Sequence, residues 1–347
     1  MGYTYSEITD QYGAMDKTCA YMRSAGEKIR QFRRARPFET ILYIGCGSSY
    51  SISQSLAWVT NIRTGLRAMA VPAGDLMLHH EHYQKLYPGA VIFAVFRSGA
   101  TTELIRAIES VKDRADVPVI SIVCAQGSAL EALSDFTAVL PWAFDRSVCQ
   151  TRTVSNMLAA APGCIGVWAE DDAIAASPRD LISGGQAYLE RIEPALIGIS
   201  GEAFDNAVVL GDGEISGVAA EAALAYKEIS HIPSVFYHLL DVRHGPVVTM
   251  NSGTLVVAGV TRECPEYQRD LIRDIAKIAG TVVVYSDTET APIEGAKLHV
   301  SFGRELDTAV SGLPFLLISQ LISYHKAVRR NIDPDRPDGL SAWIELS

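Results

Sequence analysis

A short apolar run, Thr40-Ile41-Leu42-Tyr43-Ile44, passes directly into Gly45-Cys46-Gly47-Ser48-Ser49, and the pattern from about Tyr50 to Thr60 is helical. This strand–glycine–helix junction constrains the fold more than any other feature of the chain. The run has no polar alternation, so both of its faces are expected to be buried, as in a parallel sheet covered by helices. The unit recurs. Val91 to Phe96 leads into Arg97-Ser98-Gly99-Ala100-Thr101-Thr102 and a helix through Val111. Val117 to Cys124 leads into Gln126-Gly127-Ser128 and a helix, and Phe136 to Leu140 reads as a fourth strand. Residues 151–195 are mostly helical and end near Pro194. The pattern then restarts with a strand from Ala207 to Leu210, the loop Gly211-Asp212-Gly213-Glu214 and a helix through Ile229. Strands follow at Thr254 to Val260, Thr281 to Tyr285 and Lys297 to Val300, with helices over Tyr267 to Ala279 and Leu313 to Arg330. The expectation is an α/β chain with two tandem doubly wound parallel-sheet domains and flanking helices. An N-terminal helix covers 1–34, the first domain 35–165, a helical connection 166–195, the second domain 196–331 and a tail 332–347.

Composition narrows the function classes. With 347 residues, 48% hydrophobic and 20% charged, the chain can bury two cores and is not a disordered sequence. Its net charge of −10 lacks the basic footprint of a nucleic-acid binder, so a bound anion must rely on local donors. Six cysteines without a C-x-x-C pair read as reduced thiols. The N-terminus has no basic segment followed by an apolar core, and the longest apolar runs are strand-sized. A cytoplasmic protein with no membrane partner and no cofactor is expected.

The two βα loops carry the first chemical signal. In an open parallel sheet, ligands bind at the carboxyl ends of the strands, near the reversal of strand order. Gly45 and Gly47 allow a tight turn, Ser48, Ser49, Ser51, Ser98, Thr101 and Thr102 offer hydroxyls, and two helix N-termini add backbone N–H groups. These are the parts of a phosphate site. The loops are neither a Walker A sequence nor a G-x-G-x-x-G dinucleotide loop. The competing explanation is that the same residues merely cap two helices.

The second signal lies in the later half. Glu221 and Glu228 stand seven apart on one helix face, with Lys227 one step aside, and Asp241-Val242-Arg243-His244-Gly245-Pro246 places His244 on a turn. A carboxylate and an imidazole can supply base and acid near neutral pH. A solvated helix face and a turn histidine would look the same. Leu78-His79-His80-Glu81-His82 suggests a metal cluster, but adjacent histidines diverge along a helix or strand, and no metal site is expected. Cys46 has no base partner in the pattern, so it is not expected to act as a nucleophile.

Five motifs, in order from about 40 to 250, resemble the sugar isomerase (SIS) domain family. They are Gly45-Cys46-Gly47-Ser48-Ser49, Phe96-Arg97-Ser98-Gly99-Ala100-Thr101, Ser147-Val148-Cys149-Gln150-Thr151, Lys227-Glu228-Ile229 and Arg243-His244-Gly245-Pro246. The arrangement is similar to the isomerase part of glucosamine-6-phosphate synthases and to the galactosamine-6-phosphate deaminase group, long labelled tagatose-6-phosphate ketose/aldose isomerases. The resemblance implies two flavodoxin-like SIS domains acting on a hexose or hexosamine 6-phosphate. It implies that Ser48, Ser49, Ser98 and Thr101 hold the phosphate, with Arg97 as an added charged donor. It gives Glu228 the proton transfer between C1 and C2, and His244, reaching from a neighbouring subunit of a homodimer or larger oligomer, the ring opening. Gly47, Val148, Thr151 and Lys227 would line the sugar. Phe96 and Arg97 stand where the synthase pattern has serine and glutamine, and Ala342 where it has a tail lysine. Loss of that lysine favours a deaminase over a synthase-like step, with ammonia released if the substrate is an amino sugar. Alternatives are a fructosamine-6-phosphate deglycase and a non-catalytic sugar-phosphate sensor. The roughly 35 residues before the first strand are too few for the DNA-binding domain such sensors carry.

Overall fold

The structure, a computed structural model, describes residues 2–288, 291–344 and 346. The chain divides into two compact units. One, here the first-sheet unit, comprises Asp10–Ile182 with Ser341–Ser347; the other, the second-sheet unit, comprises Met1–Thr9 with Ser183–Leu340. Residues 1–9 group with the second sheet and 341–347 with the first. Helix α1 (Tyr3–Ala35) opens the chain, and the division at 9/10 falls within it.

The first-sheet unit contains β1 (Thr40–Gly45), α2 (Ser48–Arg63), β2 (Arg67–Pro72), α3 (Ala73–His79), β3 (Ala90–Phe96), α4 (Thr102–Lys112), β4 (Val119–Val123), α5 (Ala129–Leu133), β5 (Phe136–Val139), α6 (Arg152–Ala169) and α7 (Asp172–Ala176). All five strands are parallel, in the order β2-β1-β3-β4-β5. Every residue of β3 is buried, as the absence of polar alternation predicted. One face, with Leu42, Ile44, Ile92 and Ala94, packs on Leu104, Ile108 and Val111 of α4. On the other, Tyr43 stacks against Phe93 at 5.2 Å, Phe93 meets Trp168 of α6 at 5.5 Å, and the Tyr43 hydroxyl bonds Thr60 Oγ1 of α2 at 2.8 Å. Each such side chain contributes about 1.5–3 kcal/mol by leaving water, so the strand ends that carry the loops are rigidly seated.

The second-sheet unit contains β6 (Asn206–Leu210), β7 (Ser234–Tyr237), β8 (Thr254–Gly259), β9 (Thr281–Ser286) and β10 (Leu298–Ser301), again all parallel, in the order β10-β9-β8-β6-β7. Counted within the unit, this is the first sheet's order. Its helices are α9 (Ser216–Ser230), α10 (Pro265–Ile275) and α11 (Gly312–Arg329), and α8 (Pro178–Ser200) leads into it. Helix α8 continues past Pro194 to Ser200, where the sequence suggested a stop. A proline removes one amide donor from its helix, and here burial of Leu196 and Ile199 beyond it outweighs that loss. The sequence reading also passed over β2 and β7, the edge strands next to the first strand of each sheet. Among the described residues no helix is long and apolar enough to cross a membrane.

Candidate active site

Strand order reverses between β1 and β3 in the first sheet, because the chain leaves β1 towards β2 on one side and β3 towards β4 on the other. Such a reversal opens a crevice at the carboxyl ends of the two strands. Ile44 pairs with Ala94, so the loops after β1 and β3 start side by side. Register thus brings Gly47, Ser48 and Ser49 to one edge of the crevice and Arg97, Ser98 and Thr101 to the other.

Backbone geometry explains the glycines. Gly47 has φ 52° and ψ −123°, a conformation open essentially to glycine alone. A Cβ on Gly45 would lie 2.3 Å from Ser49 C and Tyr50 N, so α2 starts in contact with the strand end. Gly99, at φ 60°, sits 2.6 Å (from an added Cβ) from Ser128 Oγ, and its carbonyl accepts Leu130 N at 3.1 Å. The Arg97 carbonyl accepts Cys124 N and Ala125 N, both at 3.1 Å. The β4–α5 loop therefore buttresses the second loop.

Neither helix that starts here is capped by a side chain. Helix α2 begins after Gly47, with Ser48 and Ser49 already inside it, and Thr101 precedes α4 without a cap hydrogen bond. In the same unit α7 is capped conventionally, Asp171 accepting from Ala173 N and Ile174 N at 2.8 and 3.2 Å. Ser48, Ser49 and Thr101 are all buried, so helix capping does not account for hydroxyls at these positions. The Ser98 hydroxyl accepts Ala100 N at 3.3 Å. Cys46 lies in the first loop. Burial, reinforced by the Glu103 carboxylate, pushes its thiol up to about 11, so it stays neutral and is no thiolate nucleophile at neutral pH.

Arg97 is placed differently from a phosphate donor on the crevice rim. It is 3% exposed, and its guanidinium donates to the Ser147 carbonyl (2.8 Å) and the Ala342 carbonyl (2.5 Å). The Ser147–Thr151 segment is held by Asp145, which the sequence reading missed. Asp145 is 2% exposed, and its Oδ2 accepts Thr151 N at 2.7 Å and Thr153 N at 2.9 Å, capping α6 from six positions before Thr151. Arg152 Nε approaches it at 3.5 Å. Local capping patterns do not look that far upstream, so no sequence signal marked it. Val148 is half-buried and Thr151 fully buried.

The remaining candidates belong to the second-sheet unit. Glu228 is half-buried and Lys227 exposed, near the end of α9, while Glu221 is buried at 2%. The two glutamates seven apart are therefore not equivalent. The Arg330 guanidinium donates to the Ser230 and His231 carbonyls, fastening that end of α9. His244 is exposed on a tight turn, its amide bonded to the Asp241 carbonyl at 2.9 Å, with Gly245 at φ 126° behind it. Arg243 pairs with Asp274 at 2.7 Å. Among the described residues no group of three or more His, Cys, Asp or Glu could hold a metal ion; His79 and His82 stack on one another at 5.5 Å.

Residues 36–161 match the SIS domain family. The chain is 25% identical over 332 residues to glutamine–fructose-6-phosphate aminotransferase (isomerizing) of Haemophilus influenzae, covering 89% of this chain and 52% of that protein. It thus spans about half the length of the curated relatives it matches. Among solved structures, tagatose-6-phosphate ketose/aldose isomerase of Escherichia coli superposes with a TM-score of 0.86 at 22% identity, over 100% of this chain and 96% of that one. Glucosamine-6-phosphate deaminase of Thermotoga maritima does so with a TM-score of 0.79 at 24% identity, over 99% and 100%. At these identities the structures establish the shared fold. The matched segment holds both loops at the first switch point and the Ser147–Thr151 segment, so the similarity to the SIS domain family rests on the first-sheet unit.

Proposed function

We propose that the protein is a sugar-phosphate isomerase or amino-sugar-phosphate deaminase acting on a hexose or hexosamine 6-phosphate. The observation that carries this is the first-sheet crevice. Two hydroxyl-bearing loops start side by side, and the helices behind them begin without side-chain caps, which supports an anion site at this place. A phosphate accepts hydrogen bonds from hydroxyls and helix N-terminal amides of this kind. Ser48, Ser49, Ser98 and Thr101 are its ligands in this reading, with Gly47, Val148, Thr151 and Lys227 along the sugar. Arg97 is left out of the phosphate shell because its guanidinium is already directed at two carbonyls.

The chemistry follows from an open-chain sugar. His244 transfers a proton in ring opening. Glu228 removes the proton on one of the carbons C1 and C2 and returns it to the other through an enediol or, with an amine at C2, an enolamine. In the amino-sugar case the resulting imine adds water and releases ammonia, leaving the ketose phosphate. No external oxidant or reductant is required. Aldose–ketose conversion and ammonia release should be assayed across hexose and hexosamine 6-phosphates. Product from at least one is expected; binding of a sugar phosphate with no product from any would make the protein a sensor.

His244 is proposed to act in the site of a neighbouring subunit, which its exposed turn permits. Mixing inactive Glu228→Gln and His244→Ala chains under exchange conditions should then restore up to about a quarter of the activity of a dimer. No recovery on mixing would confine each site to one chain.

A further inference from the structure

Arg97, at the first switch point, is almost wholly buried, and its guanidinium donates to backbone carbonyls from two other segments. One is Ser147, at the head of the Ser147–Thr151 segment; the other is Ala342, near the end of the chain. Two further bonds join the same stretch to the second loop. Thr102 N donates to the Ile344 carbonyl at 3.3 Å, and Leu346 N donates to Thr102 Oγ1 at 3.0 Å. Ile344 and Leu346 thus lie against the N-terminus of α4. All of these groups belong to the first-sheet unit.

We infer that Arg97 is a positioning residue, a tether that fixes the stretch bearing Ala342 and Ile344 and the Ser147–Thr151 segment to the second hydroxyl loop, and not a ligand of the substrate's phosphate. A guanidinium presents several donors in a fixed plane, so one side chain can bridge two carbonyls from different segments. A lysine or glutamine at this position would reach one of them at best. The neighbouring Thr102 amide, a helix N-terminal donor, meets the Ile344 carbonyl, so part of α4's donor set is directed to the chain's own tail. The phosphate is left to Ser98, Thr101 and the first loop. The tether itself is independent of substrate; its consequence for catalysis rests on the sugar-phosphate reading above.

The test is hydrogen exchange, followed by mass spectrometry, on the wild-type protein and its Arg97→Met, Arg97→Lys and Thr102→Val variants, with binding of inorganic phosphate measured alongside. Loss of one charge-assisted bond should speed exchange in the peptide containing Ile344 and Leu346 by about tenfold in Arg97→Met. Exchange in the β3 and β4 peptides should stay unchanged, which separates release of the tail from general unfolding. Thr102→Val, with Arg97 intact, should speed exchange in the same peptide, and Arg97→Lys should fall between Met and wild type. Phosphate affinity should change less than threefold in all three. Unchanged tail exchange in Arg97→Met, or a loss of phosphate affinity of tenfold or more there with the tail still protected, would overturn the tether. Should the wild-type protein bind no phosphate at all, the sugar-phosphate reading fails while the exchange result still decides the tether.

Discussion

The two sheets share one strand order and one turn, yet their switch points differ in chemistry. In the first, β1 ends in Gly45-Cys46-Gly47-Ser48-Ser49; in the second, β6 ends in Gly211-Asp212-Gly213-Glu214-Ile215. The second glycine of each pair has nearly the same φ, 52° at Gly47 and 54° at Gly213. The backbone device is therefore repeated, whereas the side chains are opposite. Buried hydroxyls line the first turn, and two carboxylates the second. An anion suits the first and is repelled by the second. Asp212 instead accepts Leu239 N and faces His238 Nδ1, both at 3.0 Å, and the Val242 amide bonds the His238 carbonyl at 3.1 Å, so this turn steadies the segment that leads to His244. In the proposed mechanism, two sheets of one strand order thus carry a binding point in one unit and reactive groups in the other. Glu228 sits about 18 Å along α9 from its start at Ser216, far from its own sheet's switch point.

That division of labour can be broken first at the reactive end. Glu228→Gln keeps shape and removes the base, so turnover should fall by about a hundredfold to ten-thousandfold with the KM for sugar phosphate little changed. Steady-state kinetics decide it, and full activity would remove the second-sheet unit from the chemistry. Next comes the first unit's scaffold. Asp145→Ala leaves the Thr151 and Thr153 amides buried without their acceptor and should lower stability by about 3 kcal/mol, read from denaturant unfolding. Asp212→Ala should be milder, about 1 kcal/mol in stability, and should lower turnover more than it raises KM, since it loosens the His244 segment and leaves the phosphate loops alone. The smallest effect is at Cys46. Its thiol, raised to about 11 by burial and then by Glu103, stays protonated at pH 8, so iodoacetamide should label the exposed Cys264 well before Cys46. Equal labelling would mean that a thiolate, and hence negative charge, does form in the first loop.

Continuous apolar runs made the central strands legible, because a parallel strand buried on both faces leaves no polar alternation. The strands passed over are β2 and β7, and they occupy the same place in each sheet. Both are edges: Arg67 and Met69 of β2 and Val235 of β7 are exposed, so the burial that marks a central strand is missing from their sequence. At the site, the glycines and hydroxyls announced themselves by type and spacing. Asp145 and the partners of Arg97 did not, because each acts on backbone brought to it by the fold, and a carbonyl 50 or 245 residues away leaves no mark on the local sequence. Similarity between the two turns was hidden for the opposite reason. Only the glycines are shared, and the residues beside them are neutral in the first turn and acidic in the second.

The central claim, that the first switch point and not the second binds phosphate, is tested most directly by Ser48→Asp. Ser48 is the first residue of α2, where the helix dipole favours an aspartate while burial of its carboxylate opposes it, so the variant should fold with some loss of stability, checked by denaturant unfolding. Calorimetric titration with glucosamine 6-phosphate should show affinity weakened about a hundredfold or more, because a carboxylate now occupies the anion's position. An unchanged dissociation constant in a folded Ser48→Asp protein would contradict the assignment.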